Sequence, residues 1–419
     1  MITKTRTSTV CVVGAGYVGL PLSCVLSETY RTVSFDVDEQ KVKALFSEFG
    51  SPTHFFTSDP SFICDADFIL ICVPTPLSQG NRPDMSYIKA AATIVGQHMK
   101  KGAIVIVESS VYPGATEELF KPILEHASGF RYPQDFKLAY SPERISPGDS
   151  EHSVNRLTKI VSACDVDTLD KVADLYRHVT PNIYKAPDIR TAEAAKLVEN
   201  TQRDLDIAFV NELSMIFERM GLNTTEVLNA AATKWNFRRF NPGLVGGYCI
   251  PVVPYFLAQK AEENGYHPAI IHTGRAINDR IPKHIVDMTV KSLNKAGKVI
   301  KGSRVLIMGL SYKENVSDTR ETPVRNVIKE LREYDIDIYG YDPLVNNSGE
   351  DHLNVQRVED LANTPLMDAI IITVVHDAFK EISIYQLLRI MKPVPVIIDL
   401  RGYFFTPEIL TQPIIYKCM

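Results

Sequence analysis

A glycine-rich segment near the N-terminus limits the fold of this chain more than any other feature. The segment Gly14-Ala15-Gly16-Tyr17-Val18-Gly19 follows the apolar run Val10–Val13 and precedes a helix-like stretch. Its three glycines suit a tight turn, a close approach of backbone to a pyrophosphate, and the packing of a helix on a strand. Asp36 ends the next strand-like run, where a carboxylate accepts hydrogen bonds from ribose hydroxyls and repels a 2′-phosphate. This order predicts a doubly wound domain that binds NAD rather than NADP; a glycine turn that binds no ligand is the weaker alternative.

Apolar patterning extends this prediction along the chain. Strand-like runs alternate with helix-like stretches in the first third, and a second alternation begins near Ser303. Between them a helical pattern runs from Thr191 to Gly221 without proline, a length that suits a bridging helix. The expected strands are Thr9–Val13, Thr32–Asp36, Phe68–Val73, Ala103–Glu108, Arg304–Gly309, Ile336–Tyr341, Ala369–Val374 and Val394–Leu400.

Chain length indicates more than one domain, because 419 residues exceed the size at which a single core stops growing. We predict an α/β fold of two Rossmann-like doubly wound domains joined by a central helical domain with a long bridging helix. The expected boundaries are 1–197, 198–298 and 299–419.

Composition excludes several classes of function. A net charge of −5 gives no reason to expect wholesale binding to nucleic acid or to an anionic membrane. No apolar run of membrane-spanning length occurs, and the N-terminus leads directly into a strand, so we expect a cytoplasmic protein. The seven cysteines are scattered without CxxC spacing, which argues against a disulfide framework or a zinc site, and we expect no metal. One cysteine remains a candidate nucleophile.

A helix and a loop carry the candidate catalytic groups. Glu193, Lys196 and Asn200 are three and four residues apart, so they share one stripe of the bridging helix. An ordinary Glu193–Lys196 pair on a solvated surface is the alternative. In the segment Asn241-Pro242-Gly243-Leu244-Val245-Gly246-Gly247-Tyr248-Cys249-Ile250-Pro251, a glycine pair precedes Cys249 and a proline follows it. This rigid loop is suited to presenting a thiol to a ligand.

Two further loops follow apolar strands, where open α/β sheets bind ligands. They are Val73-Pro74-Thr75-Pro76 and Glu108-Ser109-Ser110-Val111-Tyr112-Pro113-Gly114. Each is expected either to line the cofactor or to be no more than a strand end terminated by proline.

On these motifs the chain resembles the UDP-glucose/GDP-mannose dehydrogenase family over essentially its whole length. The matching segments are Gly14–Pro21, Pro74-Thr75-Pro76, Ser141-Pro142-Glu143-Arg144, the Glu193/Lys196/Asn200 helix, Gly246-Gly247-Tyr248-Cys249, and Tyr312-Lys313 through Asp318-Thr319-Arg320-Glu321. The resemblance implies an N-terminal domain for NAD, a central helical domain that forms a homodimer, and a C-terminal domain for the UDP half of the substrate.

The family's chemistry gives these residues roles. The resemblance implies two successive oxidations at C6 of the sugar, with Cys249 as the nucleophile that forms a thiohemiacetal and then a thioester. Lys196 and Asn200 match oxyanion donors, and Glu143 is a candidate to hold or deprotonate water. The implied cofactor contacts are Gly14, Gly16, Tyr17, Val18, Gly19, Asp36, Lys41, Thr75, Ser110, Lys313 and Arg320. The implied substrate contacts are Arg144, Asn241, Gly246 and Arg275, and for Arg275 an interdomain salt bridge is the alternative.

Three segments favour one branch of the family. Pro147-Gly148 after the Ser-Pro-Glu-Arg motif, Lys234-Trp235-Asn236-Phe237, and Asn241–Gly247 resemble the UDP-N-acetylhexosamine 6-dehydrogenases of capsule and O-antigen synthesis. UDP-glucose enzymes typically have a bulky residue after Ser-Pro-Glu and a charged residue after Cys-x-Pro. We therefore expect UDP-GlcNAc or UDP-GalNAc as substrate, with the epimer open and UDP-glucose as the alternative.

The chain departs from the family pattern at three places. Val253 stands where the family usually has an aspartate, four residues after the nucleophile; the segment between Lys41 and Thr57 is short; and Ser110 replaces a frequent threonine while keeping the hydroxyl. The valine raises the alternative of a homologue that binds NAD and UDP-sugar but hydrolyses the thioester poorly. A 2-hydroxyacid dehydrogenase with one hydride transfer explains neither Cys249 nor the second nucleotide-type domain.

Overall fold

The computed structural model describes residues 6–78, 80–144, 156–345, 353–406, 409 and 411–419. Pro147 and Gly148, part of the branch pattern, lie outside the described residues. The chain forms two compact units, of which the first contains Met1–Asn200 and Tyr255–His267 and the second Thr201–Pro254 and Pro268–Met419. Among the described residues, no helix has the length and apolar character needed to cross a membrane.

The first unit is built on a mostly parallel sheet. The strands of this unit are β1 (Arg6–Val13), β2 (Tyr30–Phe35), β3 (His54–Thr57), β4 (Phe68–Ile71), β5 (Leu77–Ser78), β6 (Arg82–Pro83), β7 (Ile104–Val107), β8 (Lys137–Tyr140), β9 (Lys159–Ala163) and β10 (Ile183–Lys185). The sheet order is β10-β9-β8-β7-β4-β1-β2-β3, β8 and β9 pair antiparallel, and β5 and β6 form a separate hairpin. The helices of this unit are α1 (Gly19–Ser27), α2 (Glu39–Phe49), α3 (Ser86–His98), α4 (Lys121–Ser128), α5 (Val166–Arg177) and the start of α6 (Ile189–Met220).

The second unit contains a parallel sheet of its own, in the order β13-β12-β11-β14-β15-β16. The strands are β11 (Arg304–Met308), β12 (Asp337–Tyr341), β13 (Gln356–Arg357), β14 (Met367–Ile372), β15 (Met391–Asp399) and β16 (Ile415–Cys418). The remaining helices are α7 (Thr224–Ala231), α8 (Val253–Glu263, which ends within the first unit), α9 (Ala269–Lys295), α10 (Val324–Arg332) and α11 (Ile384–Arg389). In the first sheet β1 lies between β2 and β4, and in the second sheet β11 lies between β12 and β14. In each sheet the first strand therefore lies between the second and the fourth, which is the Rossmann order.

Both sheets are buried on both faces, as the continuous apolar runs predict. In β1, Cys11 and Val13 belong to one core cluster while Val10 and Val12 belong to another, because successive side chains of a strand point to opposite faces. The same alternation divides the residues of β11 between two clusters of the second unit.

The predicted fold class is confirmed, and each predicted strand corresponds to an observed one whose ends differ by at most three residues. The predicted bridging helix is α6, which runs from Ile189 to Met220. Asp188 caps the start of this helix, because its carboxylate accepts a 2.7 Å hydrogen bond from the Thr191 N–H. A helix of this length is about 48 Å long at 1.5 Å per residue.

Candidate active site

The turn between β1 and α1 has the geometry of a phosphate-binding loop. Gly14 has a φ of +98°, and a Cβ there would lie 2.7 Å from the carbonyl oxygen of Cys72. A Cβ at Gly19 would lie 1.8 Å from the carbonyl oxygen of Gly14, whereas a Cβ at Gly16 would have no atom within 4 Å. The fold therefore requires the first and third glycines, and the second leaves open space above the backbone.

The start of α1 fits a diphosphate. Val18 occupies the N-cap position and makes no side-chain hydrogen bond to the first turn. The first N–H groups of a helix lack partners within it and carry partial positive charge, which favours an anion there. Tyr17, 47% exposed, lies beside this turn. Together with the open space over Gly16, these features fit the NAD that the sequence predicts.

Asp36 is fixed next to the glycine turn. Its Oδ2 accepts hydrogen bonds from the Ala15 N–H at 2.9 Å and from the Lys41 Nζ at 2.6 Å, and its Oδ1 accepts one from the Asp38 N–H at 3.1 Å. Lys41, predicted to contact the cofactor, thus lies on the carboxylate expected to bind ribose. Its ammonium offsets the charge that would repel a 2′-phosphate.

The loops with Thr75 and Ser110 follow β4 and β7, which lie side by side next to β1. The hydroxyl of Ser109 donates a 2.6 Å hydrogen bond to the carbonyl oxygen of Val73, which ties the two loops together. Both predicted residues are half-buried. Both loops therefore lie at the C-terminal ends of parallel strands, as the glycine turn does.

Glu193 is buried rather than solvated. Its carboxylate accepts hydrogen bonds from the N–H groups of Gly114 (2.5 Å) and Thr116 (2.8 Å) and from the Thr116 hydroxyl (2.6 Å). Burial raises the pKa of this carboxyl to about 7. The alternative of a solvated Glu193–Lys196 pair is therefore wrong, and Glu193 instead anchors the loop that follows Ser110.

Lys196 and Asn200 are both buried on α6. The Lys196 Nζ donates a hydrogen bond to the backbone carbonyl of Glu143. The Asn200 Nδ2 has no hydrogen-bond partner among the described residues, although it is inaccessible. Leaving a buried donor without a partner is costly, so this amide is suited to an acceptor supplied by a ligand.

Glu143 and Arg144 follow β8. The Glu143 Oε1 accepts a 2.6 Å hydrogen bond from the Arg144 N–H. The Arg144 guanidinium lies 2.7 Å from a Glu199 oxygen and donates to the carbonyl of Thr158 at 2.8 Å. Within this unit, the side chain predicted to contact substrate is thus paired with a carboxylate of α6.

A buried ion cluster beside Glu143 was not identified from the sequence. Lys159 donates a 2.6 Å hydrogen bond to Glu108, and the Tyr176 hydroxyl contacts the other oxygen of that carboxylate. Burial raises the pKa of the Glu108 carboxyl to about 7. In sequence, a lysine at the start of β9 and a glutamate after β7 look like solvated strand ends, and only the sheet, which brings the two side chains together, distinguishes them.

In the second unit, the loop with Cys249 packs against residues 312–323. The Gly247 N–H donates a 3.0 Å hydrogen bond to the carbonyl of Glu321, and a Cβ at Gly247 would lie 2.9 Å from the Tyr312 ring. Glycine is required for this close approach. Cys249 itself is exposed, as the presentation of a thiol requires.

The predicted substrate contacts of this loop differ in exposure. Asn241 is exposed and Gly246 half-buried. A Cβ at Gly246 would lie 2.4 Å from Pro323, so this glycine is required by packing within the unit, whatever ligand the loop binds.

Arg320 is held in place by its neighbours. Its Nε and Nη2 donate to the Asp318 carboxylate at 3.0 and 2.8 Å, and its guanidinium carbon lies 5.6 Å from the centre of the Tyr248 ring. The backbone carbonyl of Lys313 accepts a 2.9 Å hydrogen bond from Ser311. The segment that contains Lys313 and Arg320, both predicted to contact the cofactor, therefore borders the Cys249 loop.

Arg275 forms buried ion pairs. Its Nη1 donates to Asp204 at 2.6 Å, and its Nη2 contacts Asp279. Burial raises the pKa of the Asp204 carboxyl. This arrangement favours the salt-bridge alternative over a substrate contact, but the bridge lies within the second unit and inside the predicted central domain rather than between domains.

Val253, four residues after the predicted nucleophile Cys249, is the first residue of α8. Its N–H donates a 2.9 Å hydrogen bond to the Cys249 carbonyl, and its side chain is only 1% exposed. Valine is compatible with this burial, whereas a carboxylate there would require a hydrogen-bonding partner.

The second sheet repeats the backbone turn of the first but not its chemistry. Gly309 has a φ of +86°, and Asp342 accepts a 2.7 Å hydrogen bond from the Leu310 N–H, as Asp36 does from Ala15. Here, however, the buried His376 Nε2 lies 3.1 Å from the Asp342 carboxylate and occupies it. This turn therefore lacks an accessible carboxylate for ribose.

Comparison with known proteins identifies family models along the chain. The models of the UDP-glucose/GDP-mannose dehydrogenase family match with the NAD binding domain at residues 8–180, the central domain at 190–280 and the UDP binding domain at 306–406. The chain is 42% identical over 408 residues to the UDP-N-acetyl-D-glucosamine 6-dehydrogenase of Pseudomonas aeruginosa, covering 94% of this chain and 96% of that protein. It is 38% identical over 406 residues to the enzyme of the same name from Salmonella typhi, covering 94% and 95%.

A solved structure supports the fold. The structure of a UDP-D-ManNAc dehydrogenase from Pyrococcus horikoshii superposes with a TM-score of 0.86 at 28% identity, covering 98% of both chains.

The glycine turn provides a matched pair of variants. Gly16→Ala is expected to lower NAD⁺ affinity about tenfold or more without lowering Tm, because its methyl group enters open space and meets no protein atom. Gly19→Ala should instead lower Tm, since displacing the Gly14 backbone costs about 1–3 kcal/mol. Calorimetric titration with NAD⁺ and thermal unfolding measure the two effects. Unchanged NAD⁺ affinity in Gly16→Ala would place the pyrophosphate elsewhere.

Asp36 and Lys41 should together set cofactor preference. Asp36→Ala is expected to weaken NAD⁺ binding and improve NADP⁺ binding, because it removes the ribose acceptor and leaves the Lys41 ammonium beside a 2′-phosphate. The double variant Asp36→Ala/Lys41→Ala should lose the gain for NADP⁺. Dissociation constants for both cofactors test this, and an NADP⁺ gain that persists in the double variant would assign no role to Lys41.

Proposed function

The chain belongs to the UDP-glucose/GDP-mannose dehydrogenase family and is an NAD-dependent nucleotide-sugar dehydrogenase, and we propose that it oxidises C6 of a UDP-N-acetylhexosamine to a carboxylate. The observation that carries this substrate is the 42% identity, over 94% of the chain, to a UDP-N-acetyl-D-glucosamine 6-dehydrogenase. UDP-GlcNAc and UDP-GalNAc are both candidates, and UDP-glucose is the alternative. The product would serve surface polysaccharide synthesis.

The proposed domain roles follow the division at 1–197, 198–298 and 299–419. NAD is assigned to the first domain and the UDP half of the substrate to the third, in line with the descriptions of the matching family models. The central domain, with α6, is proposed to form a homodimer.

The first oxidation converts the C6 alcohol to an aldehyde. When bound, NAD accepts the hydride that leaves C6 in each of the two oxidations. Lys196 and Asn200 are proposed to donate hydrogen bonds to the C6 oxygen, on which negative charge develops as its proton is lost. The Asn200 Nδ2, for which the described part of the chain provides no hydrogen-bond acceptor, supports this role.

The second oxidation proceeds through Cys249. Its thiolate adds to the aldehyde carbon, and the carbonyl electron pair moves to oxygen, giving a thiohemiacetal that Lys196 and Asn200 stabilise. Loss of the second hydride leaves a thioester. Water then adds to the thioester carbon and expels the thiolate, so each sugar yields two NADH and one carboxylate.

Hydrolysis is the step on which a second candidate function depends. Glu143 is proposed to hold or deprotonate the attacking water. Val253, buried and unable to accept a hydrogen bond, stands where relatives usually carry an aspartate. This observation favours, as the second candidate, a homologue that binds both ligands but releases the thioester slowly.

Product analysis and a cysteine variant test the proposed reaction. Native protein with NAD⁺ and UDP-GlcNAc or UDP-GalNAc should form the uronic acid with two NADH per sugar, measured by mass spectrometry and absorbance. UDP-glucose and GDP-mannose serve as competing substrates. Cys249→Ala should form no uronic acid, yet bind NAD⁺ and UDP-sugar as before, because an exposed thiol contributes chemistry rather than packing.

Two results would contradict this proposal. Full carboxylate production by Cys249→Ala would remove that residue as nucleophile. Preferred oxidation of UDP-glucose by the native protein would replace the proposed substrate with the alternative.

In the second candidate function, Val253 makes thioester hydrolysis the slow step. The native protein should then give a burst of NADH and accumulate a sugar adduct on Cys249, visible by intact-protein mass spectrometry. Val253→Asp should raise the steady rate, by roughly 10²-fold if the acid acts as a single general acid–base group. Val253→Asn, similar in shape and uncharged, is the control. A native protein that shows neither burst nor improvement by aspartate would exclude the impaired homologue.

A further inference from the structure

The buried ion cluster of the first unit lies beside Glu143. Lys159 is the first residue of β9, which runs antiparallel to β8, so it lies at the edge where β7 and β8 end. Its Nζ donates to Glu108 at 2.6 Å, to the Pro142 carbonyl at 3.2 Å and to the Glu143 Oε2 at 3.5 Å. The cluster therefore reaches Glu143 from the buried side.

Each member of the cluster is deeply buried. Lys159 is 7% exposed, Glu108 1%, and Tyr176 is inaccessible. Removing charges from water is costly, and apolar residues of similar volume often replace a buried ion pair without loss of stability. Stability alone therefore gives a weak reason for an ammonium at this position.

The positive and negative charges of the cluster and the adjacent Glu143 are unequal in number. One ammonium faces two carboxylates, Glu108 and Glu143, with the Cys72 thiol and the Tyr176 hydroxyl nearby. Burial raises the pKa of Glu108, and the Glu143 charge adds to this while Lys159 opposes it. Burial lowers the pKa of Lys159, but the two carboxylates outweigh it and raise the pKa overall. The ammonium is thus held in its charged form.

Glu143 is fixed from several directions. Its carbonyl accepts from Lys196, its Oε1 accepts from the Arg144 N–H, and its Oε2 faces Lys159. The preceding Ser141 donates its hydroxyl to the Ile160 carbonyl at 2.8 Å, which ties this turn to β9. Lys159 adds a charge that acts on the carboxylate itself.

We propose that Lys159 is a positioning residue for Glu143: its ammonium, hydrogen-bonded to Glu108, orients the Glu143 carboxylate for hydrolysis of the Cys249 thioester. This inference rests on the role proposed above for Glu143. Lys159 is buried and faces the Glu143 carboxylate, so its loss should slow one step of the reaction and leave ligand binding intact.

Lys159→Met tests the proposal in the full-length protein with NAD⁺ and the UDP-N-acetylhexosamine that the native protein oxidises. We expect thioester hydrolysis to slow by roughly 10²-fold, as misplacement of a reacting group does. A burst of two NADH per active site should remain, the Cys249 adduct should persist longer than in the native protein, and NAD⁺ affinity should be unchanged. Intact-protein mass spectrometry and rapid-mixing absorbance give these values.

Two further variants separate positioning from folding. Lys159→Met leaves Glu108 buried without its ammonium, so Lys159→Met/Glu108→Gln, which removes both charges, should restore Tm while hydrolysis stays slow. Lys137→Met removes another lysine–carboxylate pair of the same sheet, with Asp165 at 2.8 Å, and should hydrolyse the thioester at the native rate.

The outcomes are distinguishable. A native protein that oxidises no UDP-sugar overturns the proposed function and this inference with it. An active native protein whose folded double variant hydrolyses the thioester at the native rate overturns the role of Lys159 alone. Equal losses in the burst, in hydrolysis and in NAD⁺ affinity would indicate a merely structural lysine and would also overturn it.

Discussion

The C-terminal ends of the parallel strands β1, β4 and β7 lie on the same side of the sheet, and the placement of the polar groups in the first unit depends on this. The central residues of these strands are apolar on both faces, so the polar groups of this site come from the residues that follow the strands. The glycine turn follows β1, the Val73 loop follows β4, and Glu108 and Ser109 follow β7, so these groups lie at the same end of the sheet. Because β9 runs antiparallel to β8, its first residue reaches that end as well, and an ammonium joins the carboxylates there. Strand direction thus decides which charges become neighbours.

Local patterns were sufficient for the fold and for part of the candidate site. Apolar runs predicted eight strands that the structure contains, and the spacing of the glycines together with Asp36 predicted the turn that follows β1, because both depend on residues close in sequence. Glu193 shows where this information ends. Its partner Thr116 is 77 residues away, and helical spacing alone made a solvated pair with Lys196 the ordinary expectation. For the same reason the sequence did not identify Lys159 and left two alternatives for Arg275, since burial and long-range partners decide the role of a charged side chain.

The two sheets show how one backbone design supports different ligands. Both begin with a glycine of positive φ and both place an aspartate under the turn. In the first, open space over Gly16 lets a diphosphate approach the backbone; in the second, the corresponding position is Ser311 and His376 occupies Asp342. This difference agrees with the matching of an NAD binding domain to the first and a UDP binding domain to the second. A turn that has lost its second glycine and its accessible carboxylate is poorly suited to a second dinucleotide.

The unequal contacts of Lys159 suit the role proposed for Glu143, a carboxylate that holds or deprotonates water. Its hydrogen bond to Glu108 is 2.6 Å long and its contact with Glu143 3.5 Å, so Glu108 takes the stronger interaction. A short, direct bond to Glu143 would compete with a water molecule for the same carboxylate oxygen, whereas a longer contact orients the group and leaves it able to accept a further hydrogen bond. In the proposed reaction, the buried Val253 side chain accepts no hydrogen bond and does not share this work. The rate at which the proposed thioester is released would then depend more strongly on the orientation of Glu143.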